Sequence, residues 1–424
     1  GGDGKSGLLM VGSGSRLTEV HSISAFNSLG NYYAYVTHMC GFKAQKHEGK
    51  ITGLAAYGEP KYLEILRSFV DERGGTILNL GGVVFQEAAR QLERRLPTGW
   101  TREDMAASIQ RHFEEVVVRL VAHWVKETGM SRVALAGGVF ANVRVNEEVH
   151  DIPGVEEVFV HPGMADGGLH AGAALAACAE GVLPTPMKRH TEPLRDAFLG
   201  TPIEQRDAEE AARKHQLQPE ELQQPLEDEI AELLRQGYVV ARAAGKMEYG
   251  PRALGNRSIL YQPTDRSVND WLNANLKRTE FMPFAPAVMA EAVDRCFLEA
   301  DGARHTAEYM TVTFHCTPWM EASMAGVVHL DGTARPQIVR RDRTPEYYRI
   351  IEAFEEKTGL PAIINTSFNM HEEPIVRTAD DAVRAFLDGN LDYLALDKFL
   401  IRHPAGVDRA LIPTPEQGKE SAAP

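Results

Sequence analysis

"EYGPRALGNRSIL", Glu248–Leu260, gathers two arginines, two glycines, an asparagine and a serine shortly after the apolar run "YVVAR". An apolar strand running into a glycine-punctuated turn is the pattern of an α/β protein. Glycine admits close backbone approach, and a guanidinium offers paired donors to an oxyanion. The chain as a whole has a formal net charge of -14, so this concentration of cations runs against its background. The stretch therefore predicts a strand end built to meet an anion.

The same association recurs across the second half of the chain. Lys246 precedes the stretch, Lys277 and Arg278 lie in "LKRTEFMPFAP", and Arg335 lies in "HLDGTARPQ". "NTSFN" adds Asn365, Thr366 and Ser367 as neutral hydrogen-bonding groups. One exposed arginine is ordinarily only solvated. Separated segments that each pair a base with turn residues or hydroxyls point instead to a triphosphate or acyl-phosphate pocket.

Around these segments the second half reads as mixed α/β. "GYVVARAAG" and "LPAIINTSFN" are expected strands, while "EYYRIIEAFEEKTG" and "TADDAVRAFLDG" are expected helices, the latter capped by Thr378. The stretch between Leu183 and Gln224 is rich in Pro, Glu, Arg and Gln, which places a domain junction near Thr191 and allows a helix within Glu204–Lys214. Domains are expected over 1–190 and 191–405, with a disordered tail over 406–424.

The first half also alternates strands and helices. Met105, Ile109, Phe113, Val117, Leu120 and Trp124 form one apolar stripe on a helix expected from about Arg102 to Lys126. "SRVALAGGVFANVRVNEEV" runs from strand through Gly137 and Gly138 to a helix start with Asn142. Paired glycines before a helix N-terminus suit phosphate, but alone they are a weak signal, since many strand–helix turns carry them without any ligand. "HPGMADGGLHAGAAL" repeats the order and adds Asp166, which reads either as a metal ligand or as a helix cap. "HEGKITGLAAYGEP" offers Lys50 as a point charge or as a solvated lysine.

Composition sets outer bounds. The chain has 424 residues, 43% apolar and 25% charged, more than one ordinary core and typical of a globular protein. The acidic balance argues against non-specific nucleic-acid binding, and no apolar run reaches membrane-spanning length. Cys40, Cys178, Cys296 and Cys316 are scattered without metal-ligand spacing, as expected of reduced thiols in a cytoplasmic protein.

Taken in order, "GKITGLAAYG", "GGVFANVRVN", "EYGPRALGNRSIL", "PFAP", "DGTARPQ" and "NTSFN" resemble the O-carbamoyltransferase family of antibiotic and nodulation-factor biosynthesis, over about Gly2 to His403. The resemblance implies a partial actin-like domain followed by an α/β domain similar to the threonylcarbamoyl-adenylate synthases (YrdC-like). It implies carbamoyl-adenylate formation from carbamoyl phosphate and ATP, with Mg2+, in the second domain. Transfer to a hydroxylated small-molecule acceptor would follow in the first, without a nucleic-acid or membrane partner. A homodimer is one assembly it allows.

By the same resemblance Arg252, Asn256, Arg257 and Ser258 line the adenylation site with Lys277 and Arg335. Gly137, Gly138 and Asn142 correspond to an adenosine-binding turn, and Asp166 to a ligand of Fe(II) or a similar metal. Asp3 and Gly4 belong to a loop, "GGDG", that lies well inside the first domain of longer members. The two histidines of the family's HxxxH stretch and the opening strands are accordingly expected to be missing. Two positions depart from the family pattern, Met282 before "PFAP" and "HEEPI", where His371, Glu372 and Glu373 raise a metal cluster against a subgroup substitution. The competing readings are a non-catalytic nucleotide-binding remnant and a kinase-type phosphotransferase.

Overall fold

The computed structural model describes residues 3–14, 16–179, 194–267, 276 and 284–406. The expected junction at Thr191, the pair Lys277 and Arg278, Met282 and the tail from 407 onward lie outside the described residues. The chain divides into two compact units, Gly1–Pro193 and Leu194–Pro424. Both mix helices and strands, as expected of an α/β chain.

In the first unit β1 (Lys5–Ser13) and β2 (Arg16–Ser24) form an antiparallel hairpin, as do β3 (Val70–Arg73) and β4 (Thr76–Asn79). β5 (Arg132–Leu135) and β6 (Glu157–Val160) pair in parallel, one before each glycine-rich turn. A helix runs over Arg102–Thr128, opened by the Thr101 hydroxyl accepting from the Asp104 amide and closed by left-handed Gly129. Met105, Ile109, Phe113 and Val117 on its stripe are buried, whereas Leu120 and Trp124 are half-buried.

The second unit is built on a seven-stranded sheet. Its strands are β8 (Val240–Ala243), β10 (Arg257–Tyr261), β11 (Ala285–Met289), β14 (Gln337–Val339), β15 (Ala362–Ser367), β16 (Tyr393–Leu396) and β17 (Phe399–Arg402). They lie in the order β14-β11-β15-β10-β8-β16-β17. Short pairs flank it: β7 (Pro202–Ile203) with β9 (Gly245–Lys246), and β12 (Phe314–His315) with β13 (Thr333–Ala334). β8, β10 and β11 are buried throughout, including the side chains of Arg242, Arg257 and Ser258.

Helices cover this sheet. Gln205–Lys214 and Ala379–Asp388 each begin with a capping box, Glu204 with Asp207 and Thr378 with Asp381. Pro345–Thr358 starts on proline and ends at left-handed Gly359.

Register brings the candidate segments together. Ser258 at the start of β10 opposes Ser367 at the end of β15, and Arg257 opposes Ala243 at the end of β8. Asn365 opposes Ala285 at the start of β11, and Ala287 pairs with Gln337 at the start of β14. The loop before β10, the residues before β14 and the end of β15 therefore share one end of the sheet.

Candidate active site

The loop from Glu248 to Arg257 is folded around its own carboxylate. Glu248 is buried, and its Oε1 accepts from the backbone amides of Leu254 at 2.8 Å, Asn256 at 2.8 Å and Arg257 at 3.0 Å. Those amides would otherwise be free to meet an anion. The acid is thus the organiser of the loop, a role that the cation-rich sequence reading missed.

The two arginines of the stretch have different environments. Arg257 is fully buried, and its guanidinium donates to the carbonyls of Ala244 and Asn256 at 2.8 Å and Gly245 at 3.3 Å. It also reaches Thr201 at 3.3 Å and Arg377 at 3.4 Å. Burial lowers its pKa to about 10. A side chain so occupied ties strands together. It does not present its charge to a cleft.

Arg252 is half-buried, and its charge acts on Arg335. Arg335 is held well below the ordinary arginine pKa, first by burial and then by the Arg252 guanidinium. Its Nη1 is buried and has no hydrogen-bond partner. The two guanidiniums repel each other, and Arg335 carries a buried donor without a hydrogen-bond partner. That arrangement suits a phosphoanion.

The remaining groups support this pair. The Ser258 hydroxyl is buried and accepts from the Gly255 amide at 2.9 Å. Asn256 donates to the Lys246 carbonyl at 2.8 Å and accepts at 2.8 Å from Arg242, a buried arginine that sequence reasoning did not single out. Asn365 is buried, while Thr366 and Ser367 are half-buried, with the Ser367 hydroxyl donating to Asn369 at 2.6 Å. Lys246 and Asn256 line an open cleft of about 410 Å³ with Asp196, Arg343, Glu346 and Tyr347, and neither Arg252 nor Arg335 lines it. Glu373 is paired with Arg384 at 3.1 Å.

In the first unit Gly137 adopts a φ of +123° and donates to the Met164 carbonyl at 2.6 Å, joining the two glycine-rich turns. Gly138 opens a short 3-10 helix, and Asn142 caps the helix Val143–His150. The Asn142 amide is already engaged, donating to Gln110 at 2.9 Å and accepting from it at 3.3 Å. Gln110 also accepts from Tyr33 at 2.7 Å and donates to buried Glu114 at 2.8 Å. Burial pushes the Glu114 carboxyl up.

Asp166 is exposed at the head of a 3-10 turn whose cap position is Ala165, with no side-chain cap hydrogen bond. Lys50 is half-buried in the helix Glu48–Ala55. Asp3 and Gly4 form a left-handed turn before β1, and the Gly4 carbonyl accepts from Ala25 at 2.7 Å. Among the described residues there is no group of three His, Cys, Asp or Glu side chains able to hold a metal, and no helix long and apolar enough to cross a membrane.

Two family models match the chain: the carbamoyltransferase N-terminus over residues 1–175 and the carbamoyltransferase C-terminus over residues 231–403. Nodulation protein NolO of Bradyrhizobium diazoefficiens is 34% identical, covering 95% of this chain and 74% of its own length. Nodulation protein NolNO of Sinorhizobium fredii is 34% identical, with 95% of this chain and 59% of its own length covered. Nodulation protein U of Rhizobium tropici is 28% identical over 80% of this chain and 55% of its own. The chain thus spans less than two thirds of the length of the last two.

Proposed function

The chain belongs to the carbamoyltransferase family, and from that premise we propose an ATP-dependent O-carbamoyltransferase that works through carbamoyl-adenylate. Carbamoyl phosphate, ATP and one water give carbamoyl-adenylate, phosphate and pyrophosphate in the second, YrdC-like unit. A hydroxyl of a small natural product then attacks the carbamoyl carbon in the first, actin-like unit, and AMP leaves. The nodulation proteins among the relatives favour a small-molecule acceptor.

The observation that carries this reading is the Arg252–Arg335 pair, two mutually repelling guanidiniums of which Arg335 has a buried donor without a hydrogen-bond partner. Adenylation brings phosphoanions of two substrates together, so charge fixed in advance lowers the barrier without a covalent nucleophile. Arg252 and Arg335 meet the phosphates with Lys277. Ser258, Asn256 and Arg257 hold the loop, Lys246 and Arg278 add charge, and Thr366 and Ser367 hydrogen-bond the remaining oxygens.

In the first unit Gly137, Gly138 and Asn142 form the adenosine turn, with Lys50 near the phosphates. A divalent metal of the ferrous kind, if carried, would take Asp166 as one ligand. The described residues supply no set of three side chains to complete such a site.

The test is to mix the chain with ATP and labelled carbamoyl phosphate and to follow pyrophosphate and label. Pyrophosphate release that requires carbamoyl phosphate is expected. Release that is indifferent to it, or label found as a phosphate ester on an acceptor, would overturn the proposal.

A further inference from the structure

The three segments that carry the anion site are joined by a chain of two buried side-chain amides. Gln337 donates from Nε2 to the Leu254 carbonyl at 2.7 Å, and its Oε1 accepts from Asn365 Nδ2 at 2.7 Å. Asn365 Nδ2 also donates to the Ala253 carbonyl at 2.9 Å. Both side chains are buried, Gln337 at 3% and Asn365 at 1% exposure. The two carbonyls they hold immediately follow Arg252. Gln337 lies two residues after Arg335, and Asn365 two residues before Ser367.

We propose that Gln337, acting through Asn365 and the Ala253–Leu254 carbonyls, is a positioning residue that sets the separation of the Arg252 and Arg335 guanidiniums. This rests on the reading of that pair as a phosphoanion site. Two like charges repel, so their spacing must be imposed from outside the pair. Glu248 holds the loop through its amides, and this leaves the Ala253 and Leu254 carbonyls to be held by other groups. The Gln337 amide does this while standing on the segment that carries Arg335. Leaving one partner of a buried amide pair unsatisfied costs more than the net gain of pairing it, so the register it defines is sharp. Asn365 thereby takes part in positioning through its Nδ2, while its buried Oδ1 has no hydrogen-bond partner.

A ligand that bridges both guanidiniums should feel their spacing, whereas a ligand held by one should not. Inorganic pyrophosphate and inorganic phosphate are the probes, titrated into the full chain by calorimetry. The variants are Gln337→Met, which keeps length and volume but removes both hydrogen bonds, and the exchange Gln337→Asn with Asn365→Gln, which keeps an amide pair. In Gln337→Met, pyrophosphate should bind about tenfold more weakly while phosphate changes by less than about twofold, tenfold being what one such lost bond supplies. The exchange should recover part of the loss.

A merely structural role would lower the melting temperature and weaken both anions together, which overturns the proposal, as does unchanged pyrophosphate affinity in Gln337→Met. Should Gln337→Met fail to fold, the exchange variant decides: pyrophosphate selectivity no better than that of Arg335→Ala overturns it. Arg252→Ala in the unaltered background separates the premise from the inference. If that variant binds pyrophosphate like the parent, the reading of the site has failed, whatever Gln337 does.

Discussion

Arg252 and Arg257 are five positions apart in one motif, and nothing in their chemistry distinguishes them. The difference lies in what surrounds each. Arg257 is enclosed by backbone carbonyls at the ends of strands, whereas Arg252 shares its field with Arg335. Arg252→Ala should therefore leave the melting temperature nearly unchanged and reduce carbamoyl-phosphate-dependent pyrophosphate release by tenfold or more, the scale of one charge-assisted phosphate contact of about 1.5–3 kcal/mol. Arg257→Met should do the reverse at first order. It strands buried carbonyls at a cost of about 1–3 kcal/mol each, to be read from denaturant midpoints. Equal effects of both variants on both measurements would erase the distinction. Glu248 was illegible for the same reason. A carboxylate inside a cation-rich motif reads as a repulsive neighbour, and only the fold reveals that it binds amides of its own loop.

At the scale of elements, patterns that depend on neighbours in sequence were legible. The helix expected over Arg102–Lys126 runs over Arg102–Thr128, because a 3.6-residue stripe, a threonine cap and a terminal glycine are local signals. The Thr378 cap and the helix inside Glu204–Lys214 have the same kind of origin. Strand order was not legible, since β14 and β15 reach their partners through register with distant segments. The fit of the anion loop against the helix Pro345–Thr358 was hidden for the same reason. Gly255 has a φ of +112°, and a Cβ there would lie 2.5 Å from the Tyr347 ring. Gly255→Ala should cost about 1–3 kcal/mol from overpacking, with added backbone strain, and a melt unchanged from the parent would show that loop and ring yield easily.

On the helix Arg102–Thr128, Glu114 has a folded pKa raised above its ordinary 4.5 by burial. Its stabilising contribution is complete below the unfolded value and is lost as pH rises through the folded one. Glu114→Gln keeps an acceptor for Gln110 without the charge. It should raise the melting temperature at pH 8 and lose that advantage near pH 4, and a constant difference across this range would count against a buried, raised carboxyl.

Each of the two units owns a hydrophobic core. One cluster runs from Ile23 to Met164 and the other from Ile203 to Ile401, without shared residues. The second contains the seven-stranded sheet and every described member of the anion site, so its folding draws on contacts within Leu194–Pro424. A fragment beginning at Leu194 should therefore melt as one cooperative transition. If adenylation belongs to that unit alone, the fragment should release pyrophosphate from ATP in the presence of carbamoyl phosphate at close to the rate of the whole chain. Asp166→Ala in the whole chain should likewise spare that release, because Asp166 lies in the first unit. A folded fragment that releases no pyrophosphate would show that residues of the first unit complete the adenylation site. Loss of release in Asp166→Ala would identify Asp166 as one of them, and the division of the two chemical steps between the two units would have to be abandoned.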